Sequence, residues 1–392
     1  MSKLLFIYER DMPTISITRD VFTNLKEHEE IKSDFKYLTD VTPSDIDEHD
    51  MIILLRPNDI YSWKVADMAR KAGHVAVVFC DDDLLHLPKS AATIPWRKRG
   101  LRKALAHSDV IWSSSRYIAN KYRKLTKGKR KALTDTILRP EELEGIDEIQ
   151  KTGDKIKIVY AAAPSHAELF EKYIGPVIPK LYKEFGDKIS FTFVSVHPEV
   201  SDYECEYIPG MPLMEYRKFM KENGFDIGLA PLEENRFTKC KYFNKFIEYT
   251  TQGTVGIYSK TEPFTYVVKD RINGFLAENT PEAWYSALKE AITDTALRKK
   301  CVENAVEYLR TNHTEDACIK KICKGLPELC ECNRQYKKCE SFGFYKILYY
   351  LSRPFDWIYL LFFYLKTTGI KAVLKRTKTH FTEAKAYRRK KN

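Results

Sequence analysis

Residues 226–253, DIGLAPLEENRFTKCKYFNKFIEYTTQG, predict a strand, a polar loop and a helix in succession. The apolar run before Pro231 is typical of a buried strand, and a helix is predicted from about residue 241 to residue 251. Four polar side chains then fall at i, i+3, i+4 and i+7 on one helix face, namely Lys241, Asn244, Lys245 and Glu248. This order of elements is typical of an α/β fold.

The shared face brings two lysines close to the free amide groups at the start of the predicted helix. Such groups are the donors that a diphosphate requires. One turn further on, the carboxylate of Glu248 is an acceptor suited to ribose hydroxyls. We therefore predict that these four residues bind a nucleotide, although a solvated helix face with ordinary charge pairs would show the same spacing.

The same alternation of short apolar runs and amphipathic stretches extends along most of the chain. The predicted strands cover residues 4–8, 51–55, 75–79 and 110–113, and then 156–161, 189–194, 206–208, 227–230, 255–258 and 274–276. The predicted helices cover residues 60–72, 101–106, 168–184, 213–221, 241–251, 281–292 and 297–311. We predict two Rossmann-like, doubly wound domains that face a cleft, with ligands beyond the carboxyl ends of the strands.

The length of 392 residues also favours two domains. We expect an N-terminal domain over residues 1–145 and a C-terminal domain over residues 155–315, joined by a charged connection at 141–154. A helical return segment is expected over 316–340 and a helical tail over 341–392. The short apolar run at 4–8 predicts a first strand rather than the core of a signal peptide.

The positive charge lies in the tail. Residues 341–392 hold 12 of the 65 basic residues and 2 of the 54 acidic ones, so the rest of the chain is nearly neutral. A neutral body argues against a nucleic-acid-binding domain.

The tail is aromatic up to residue 365, is interrupted by Arg353 and Pro354, and is basic beyond. The chain contains no run of eighteen apolar residues, so no membrane span is predicted. We therefore expect the tail to lie on an anionic membrane surface at the cytoplasmic leaflet, with the protein cytoplasmic and peripheral. The alternative is that the aromatic part packs back on the N-terminal domain.

Nine cysteines are scattered along the chain, and five of them lie between Cys318 and Cys339. Their order lacks the paired spacing of common zinc sites, so no structural metal is expected. We expect reduced thiols, as is typical of cytosolic proteins.

A second candidate site follows the predicted strand 156–161, where three alanines precede Pro164, Ser165 and His166. Small residues allow a ligand to approach the backbone, and we predict that Ser165 and His166 bind this ligand. An ordinary strand-to-helix turn, with Ser165 capping the helix, is equally compatible with these residues.

Three carboxylates, Asp81, Asp82 and Asp83, follow the predicted strand 75–79. At the carboxyl end of a strand they could bind substrate hydroxyls, or one could act as a base, so Asp82 and Asp83 are candidate catalytic residues together with Lys245. A metal site of the Asp-x-Asp type is a weaker interpretation of these aspartates than the binding of hydroxyls. A cluster that caps the next helix is a strong competitor.

The stretch of residues 226–253, named the central stretch, resembles the donor-site signature of retaining glycosyltransferases with the two-domain GT-B fold, of the type called glycosyl transferases group 1. The resemblance is carried by residues 226–232, Phe237, Lys241, residues 245–249 and Gly253. Ser259, residues 262–264, residues 273–275, Trp284 and residues 294–298 follow in the order that those proteins show.

The resemblance implies a UDP-, GDP- or dTDP-sugar donor, and transfer with retention to a glycan or lipid-linked acceptor in cell-surface polysaccharide synthesis. It implies no cofactor and no essential metal. It makes residues 1–145 the acceptor domain and residues 155–315 the donor domain, so that Ser165, His166 and the four residues of the helix face would bind the donor. Glu248 would bind the ribose, and Lys241 or Lys245 would stabilise the departing diphosphate. The first glutamate of the family's paired motif falls at Cys240, which departs from the pattern. A nucleotide-sugar epimerase of the same fold and a non-catalytic glycosyltransferase-like partner protein are the alternatives.

Overall fold

The computed structural model describes residues 2–87, 93–146, 155–200, 203, 205–330, 336–342 and 344–391, with the backbone alone beyond residue 370. These residues form two compact units. One comprises Met1–Leu133 with Ile322–Asn392, and the other comprises Thr134–Lys321. The division lies earlier in the chain than the charged connection at 141–154, and most of the segment beyond residue 321 packs with the first unit.

The first unit is built on a parallel six-stranded sheet with the order β2-β1-β3-β4-β5-β6. Its strands are β1 (Ser2–Tyr8), β2 (Ile31–Tyr37), β3 (Met51–Leu55), β4 (Val75–Phe79), β5 (Val110–Ser113) and β6 (Arg130–Leu133). Its helices are α1 (Pro13–Thr23), α2 (Pro43–Asp47), α3 (Ser62–Ala72), α4 (Pro95–Ala106) and α5 (Arg116–Tyr122). The prediction missed the two edge strands β2 and β6, because an edge strand is less buried and therefore carries fewer apolar residues.

The second unit is built on another parallel six-stranded sheet, with the order β12-β11-β10-β7-β8-β9. Its strands are β7 (Ile156–Ala161), β8 (Ile189–Val194), β9 (Cys205–Ile208), β10 (Ile227–Ala230), β11 (Val255–Ser259) and β12 (Phe275–Ala277). The helices that follow are α6 (Ala167–Tyr173), α7 (Ile178–Phe185), α8 (Leu213–Asn223), α9 (Asn244–Thr250), α10 (Pro281–Thr293), α11 (Thr295–Asn312) and α12 (Glu315–Cys323). The single helix predicted over 168–184 is divided by a 3-10 turn at Gly175–Val177, where Pro176 cannot donate a backbone hydrogen bond.

Close packing of α9 against β10 positions the central stretch. A Cβ atom added to Gly228 would lie 2.7 Å from the ring of Tyr249, so only glycine leaves room for that ring. The Tyr249 hydroxyl donates a 2.7 Å hydrogen bond to the carbonyl of Leu229. Tyr249 is fully buried, and α9 is therefore held rigidly on the sheet next to the end of β10.

The chain ends in a long helix, α13 (Tyr345–Lys391), which is interrupted at Gly369 with φ 77° and ψ 170°. Its first part packs on the first unit, as the alternative to the membrane prediction anticipated. Within the described residues, no helix is long and apolar enough to cross a membrane.

One disulfide joins Cys323 to Cys330. The expectation that the thiols are reduced is therefore wrong for this pair, while the other described cysteines are free. The two residues lie seven positions apart, at the end of α12 and just after a 3-10 turn at Pro327–Leu329, so local chain reversal brings the sulfurs together. The spacing of the cysteines gave no signal of this pairing.

Candidate nucleotide site

A cavity of about 390 Å³ lies in the second unit beyond the carboxyl ends of β7 and β10. These neighbouring strands mark the point where the order of the sheet reverses, which is where ligands of open α/β sheets bind. The cavity volume is in the range of sites for small ligands. Its lining comprises residues 160–163, His166, Val194, Ser195, Met211, Tyr216, residues 229–232, Lys241, Tyr242, Asn244, Lys245, Pro263 and Phe264.

A buried serine fixes the loop that leaves β10. The Ser259 hydroxyl accepts a 2.8 Å hydrogen bond from the amide of Leu232 and donates a 2.6 Å bond to the Asn279 side chain. The Asn279 amide in turn donates to the carbonyl of Leu232 at 3.0 Å. Both polar groups of the Leu232 backbone are thus satisfied by side chains, and the wall of the cavity is held in place.

Replacing Ser259 with alanine should lower the free energy of unfolding by about 1–3 kcal/mol, because the buried amide of Leu232 and the partly buried side chain of Asn279 would lose their partner. The matched control is Ser286→Ala, since the exposed Ser286 only donates to the carbonyl of Glu282 within α10. Urea-induced unfolding followed by circular dichroism measures both. Equal stability of the two variants would contradict this account of the loop.

Lys241 lies outside the helix, contrary to the prediction. The helix α9 begins at Asn244, whereas Lys241 has an extended backbone (φ −68°, ψ 159°) after a 3-10 turn at Thr238–Cys240. The next residue explains the difference, because the Tyr242 hydroxyl donates to Asp135 at 3.1 Å and accepts from the amide of Thr136 at 3.1 Å. These contacts hold the chain away from a helical path. The helix is consequently too short for the predicted amide site, although Lys241 still lines the cavity.

Lys245 is held between acidic and aromatic groups. Its Nζ lies 2.5 Å from Oε1 of Glu248, and it stands over the rings of Tyr216 and Tyr249 at 5.5 and 5.4 Å. The Tyr216 hydroxyl donates to the same Glu248 oxygen. Burial and the Glu248 carboxylate raise the pKa of Tyr216, so its hydroxyl stays protonated and remains a donor. The ammonium group of Lys245 is therefore fixed at the wall of the cavity.

Glu248 is oriented by these two neighbours and does not itself line the cavity. Its contacts make it the residue that positions Lys245, and its predicted contact with ribose stays a prediction. Sequence reasoning missed Tyr216, which lies on α8, because nothing in the spacing of residues on α8 indicates a partner on α9. It also missed Ser195, which follows β8 with a left-handed backbone (φ 62°) and lines the cavity.

His166 and Ser165, predicted as a pair, have different surroundings. His166 ends a 3-10 turn at Pro164–His166 and lines the cavity. Burial lowers the pKa of its imidazole, and the charges of Lys241 and Lys245 lower it further. The ring is therefore neutral at neutral pH and can exchange hydrogen bonds with a ligand. Ser165 is exposed, does not line the cavity and caps neither the turn nor the following helix.

Cys240 occupies the position of the first glutamate in the paired motif. Its side chain is buried, and its thiol donates to the carbonyl of Arg236 at 3.2 Å. It does not line the cavity. The departure from the motif therefore lies in the protein interior.

The aspartates of the first unit follow β4. Arg56, which has a left-handed backbone (φ 49°), pairs with Asp81 at 3.3 Å and with Asp82 at 3.0 Å. The Thr14 hydroxyl also donates to Asp81 at 2.6 Å. Asp82 is partly exposed, so it keeps a surface that an acceptor could reach.

Asp83 is enclosed by its neighbours. It is fully buried, and it accepts hydrogen bonds from Tyr122 at 2.7 Å, from His86 at 3.1 Å and from Lys121. Burial alone would raise the pKa of this carboxyl, but the three donors more than offset burial and hold the pKa below its usual value. These contacts describe a residue that holds its loop in place, and its predicted catalytic role remains untested. Within the described residues, no group of three or more His, Cys, Asp or Glu side chains could hold a metal ion.

No family model and no curated protein sequence matches the chain. Solved structures do match its fold. Anabaena HepE in complex with UDP and glucose aligns with a TM-score of 0.53 at 12% identity, over 83% of this chain and 100% of that one. An α,α-trehalose-phosphate synthase (UDP-forming) from Burkholderia xenovorans aligns with a TM-score of 0.53 at 12% identity, over 84% and 100%.

Sucrose-phosphate synthase from Thermosynechococcus elongatus aligns with a TM-score of 0.55 at 9% identity, over 84% of this chain and 99% of that one. The fold of this chain is accordingly the α/β fold of GT-B glycosyltransferases, with two parallel six-stranded sheets and a C-terminal helix in addition.

Proposed function

We propose that the chain is a glycosyltransferase that binds a nucleoside-diphosphate sugar in the cavity of the second unit. One observation carries the proposal. Lys241, Lys245 and a neutral His166 line the same cavity at the reversal of strand order. Two ammonium groups suit a diphosphate, and the neutral imidazole can donate or accept a hydrogen bond at the sugar.

The proposed chemistry is electrostatic. When the bond between sugar and diphosphate breaks, negative charge develops on the leaving group, and an ammonium group already held in place stabilises it without reorganisation. Lys245 is the better placed of the two lysines, because Glu248 and two tyrosine rings fix it. Asn244, exposed at the start of α9, adds an amide that can bind the nucleotide.

UDP is the first nucleotide to test, since HepE was solved with it and the trehalose-phosphate synthase is described as UDP-forming. GDP and dTDP remain alternatives. The proposal also includes retention of configuration, membership of glycosyl transferases group 1, transfer of a hexosyl group and a role in cell-surface polysaccharide synthesis. It includes no cofactor and no essential metal. Asp82 is proposed to bind a hydroxyl of a glycan or lipid-linked acceptor.

A titration of the purified chain with UDP, GDP and dTDP tests the proposal, with thermal stability as the readout and calorimetry for affinity. We expect one of the three to bind. Glu248→Ala should weaken that binding by about tenfold or more, because Lys245 loses the carboxylate that positions it. The matched control is Glu278→Ala, since Glu278 also pairs with a lysine of the second unit but is exposed.

Unchanged nucleotide affinity in Glu248→Ala would show that the site is wrongly assigned. Cys240 at the first motif position supports one alternative, a GT-B protein that binds nucleotide without transferring sugar. That alternative predicts nucleotide binding with neither sugar transfer nor hydrolysis of the nucleotide sugar. Release of the nucleoside diphosphate in an assay with the preferred donor distinguishes the two.

The tail adds a proposal on location. We propose that residues 341–392 hold the protein at an anionic membrane surface on the cytoplasmic side. The basic residues of the tail and the exposed apolar side chains of α13 support it. The vesicle experiment described below tests this location.

A further inference from the structure

A second cavity, of about 230 Å³, lies in the first unit where α13 packs beside α4. It is separate from the nucleotide site and has a mixed lining of cationic and apolar side chains. The lining comprises Arg10, Asn58, Leu84, Leu87, Thr93, Ile94, Arg97, Lys98, Arg353, Asp356, Trp357, Leu360 and Tyr364.

Buried ion pairs fix α13 as one wall of this cavity. Arg97 on α4 contacts Asp356 on α13 at 2.6 Å and Glu9 at 2.7 Å. Arg353 on α13 reaches the same Glu9 at 2.7 Å. The indole of Trp96 donates to Asp356 at 2.7 Å. These contacts therefore hold the first part of α13 on the first unit, where it forms one side of the cavity.

The cavity carries excess positive charge. Arg97 and Arg353 are matched by the carboxylates of Glu9 and Asp356. Arg10 and Lys98 also line the cavity, and neither has an ion-pair partner in the part of the chain that the structure describes. Two cations therefore remain available to an anionic ligand.

An apolar stripe runs along α13 on its exposed side. Residues spaced by three or four positions fall on one helix face and are about half exposed or more, namely Ile347, Leu351, Phe355, Ile358 and Phe362. Phe355 is 63% exposed and Phe362 is 67% exposed. The basic segment beyond residue 366 follows this stripe, across the interruption of α13 at Gly369. An apolar stripe with adjoining basic residues is typical of a helix that lies in the membrane interface.

We propose that this cavity binds the terminal phosphate of a membrane lipid while the apolar stripe enters the bilayer. The charges favour a phosphate monoester or diphosphate. A monoester carries about −1.5 to −2 at neutral pH, which matches two unpaired cations, whereas a phosphodiester headgroup carries a single negative charge. The inference rests on the proposed membrane location and deepens it, because such a lipid is the chemical class of a lipid-linked acceptor.

The test compares vesicles of phosphatidylcholine that contain either phosphatidic acid, a monoester, or phosphatidylglycerol, a diester, at matched surface charge. We expect the full chain to bind the phosphatidic acid vesicles several-fold more tightly. Arg10→Ala/Lys98→Ala should weaken that binding by about tenfold more than Arg99→Ala/Arg102→Ala. The control pair removes the same charge from exposed positions on α4 that do not line the cavity.

Two further measurements separate the lipid from its phosphate. Phe355→Ser/Phe362→Ser should lose vesicle binding, while Ile272→Ser, an exposed apolar site on the second unit, should not. Inorganic phosphate should compete only weakly, because it lacks the apolar part. Equal binding by the two charge variants, or equal binding of the two lipids, overturns the proposal. A dimer that dissociates in the phenylalanine variant, with unchanged vesicle binding, would assign the stripe to a second copy of the chain and also overturns it.

UDP titration of the same variants distinguishes this inference from the proposed function. Arg10→Ala/Lys98→Ala should bind nucleotide as the unaltered chain does, because its cavity lies in the other unit. Nucleotide binding without a preference for phosphatidic acid defeats the lipid inference alone. A preference for phosphatidic acid in a chain that binds no nucleotide defeats the proposed enzyme and leaves the lipid site standing.

Discussion

Replacing Lys245 with alanine should reduce the turnover rate of sugar transfer by about a hundred- to a thousand-fold, the usual cost of removing one preorganised electrostatic donor. The lysine lines the cavity, and its Nζ is held 2.5 Å from Glu248 and over two tyrosine rings. Its charge is therefore already placed before the diphosphate departs. Steady-state kinetics with the preferred nucleotide sugar measures the effect.

The effect of Lys245→Ala on turnover should exceed its effect on nucleotide affinity. The negative charge on the diphosphate grows as the bond to the sugar breaks, so turnover should fall more than nucleotide affinity does. Lys260→Ala is the matched control, because Lys260 is an exposed lysine of the same unit that is paired with Glu278 at 2.8 Å. Full turnover in Lys245→Ala, or an effect confined to KM, would remove Lys245 from the catalytic role.

Replacing Arg97 with alanine should lower the free energy of unfolding by about 3–5 kcal/mol, because it removes the cation that two buried carboxylates share and leaves them only partly compensated by Arg353 and Trp96. The side chain of Arg97 is 13% exposed, and the carboxylates of Glu9 and Asp356 are 9% and 6% exposed. The change also removes the ion pair between α4 and α13, while the hydrogen bond from Trp96 to Asp356 remains. Urea unfolding followed by tryptophan fluorescence reports on this region, since Trp96 contacts Asp356 directly. Arg99→Ala, exposed on the same helix, should be nearly neutral.

The loss of unfolding free energy in Arg97→Ala should depend on pH. Burial raises the pKa of Glu9, but the hydrogen bonds and charges of Arg97 and Arg353, with the hydroxyl of Tyr349, more than offset burial and hold the pKa below its usual value. A lowered pKa means that the contribution to stability is present above the unfolded pKa and is lost as the pH falls through the folded pKa. The difference between Arg97→Ala and the unaltered chain should therefore narrow below about pH 4.5. A constant difference from neutral to acidic pH would contradict this assignment.

The central strands of both sheets could be predicted from the sequence, because a strand covered on both faces is a short uninterrupted apolar run. The runs at β3, β4 and β10 are fully buried. Edge strands such as β2 carry a mixture of polar and apolar residues, and nothing in the local pattern separates β2 from a loop. Lys241 and Lys245 were singled out by their spacing on a predicted helix, and His166 by its place just after a predicted strand.

The other parts of the site depend on contacts between residues far apart in the chain. Lys241 leaves the helix because Tyr242 bonds to Asp135 and Thr136, more than a hundred positions away. Glu248 acts on Lys245 together with Tyr216 from another helix.

The sequence by itself determined the α/β class, the position of the cavity after β7 and β10, and the aromatic and basic character of the tail, because each follows from local spacing and composition. Only the tertiary structure decided which face of α13 is covered. The buried pairing of Arg97 with Glu9 and Asp356 joins three distant segments of the chain, and it leaves one apolar stripe exposed beside a cationic cavity. Such pairing depends on the three-dimensional path of the chain, which no local pattern of residues contains.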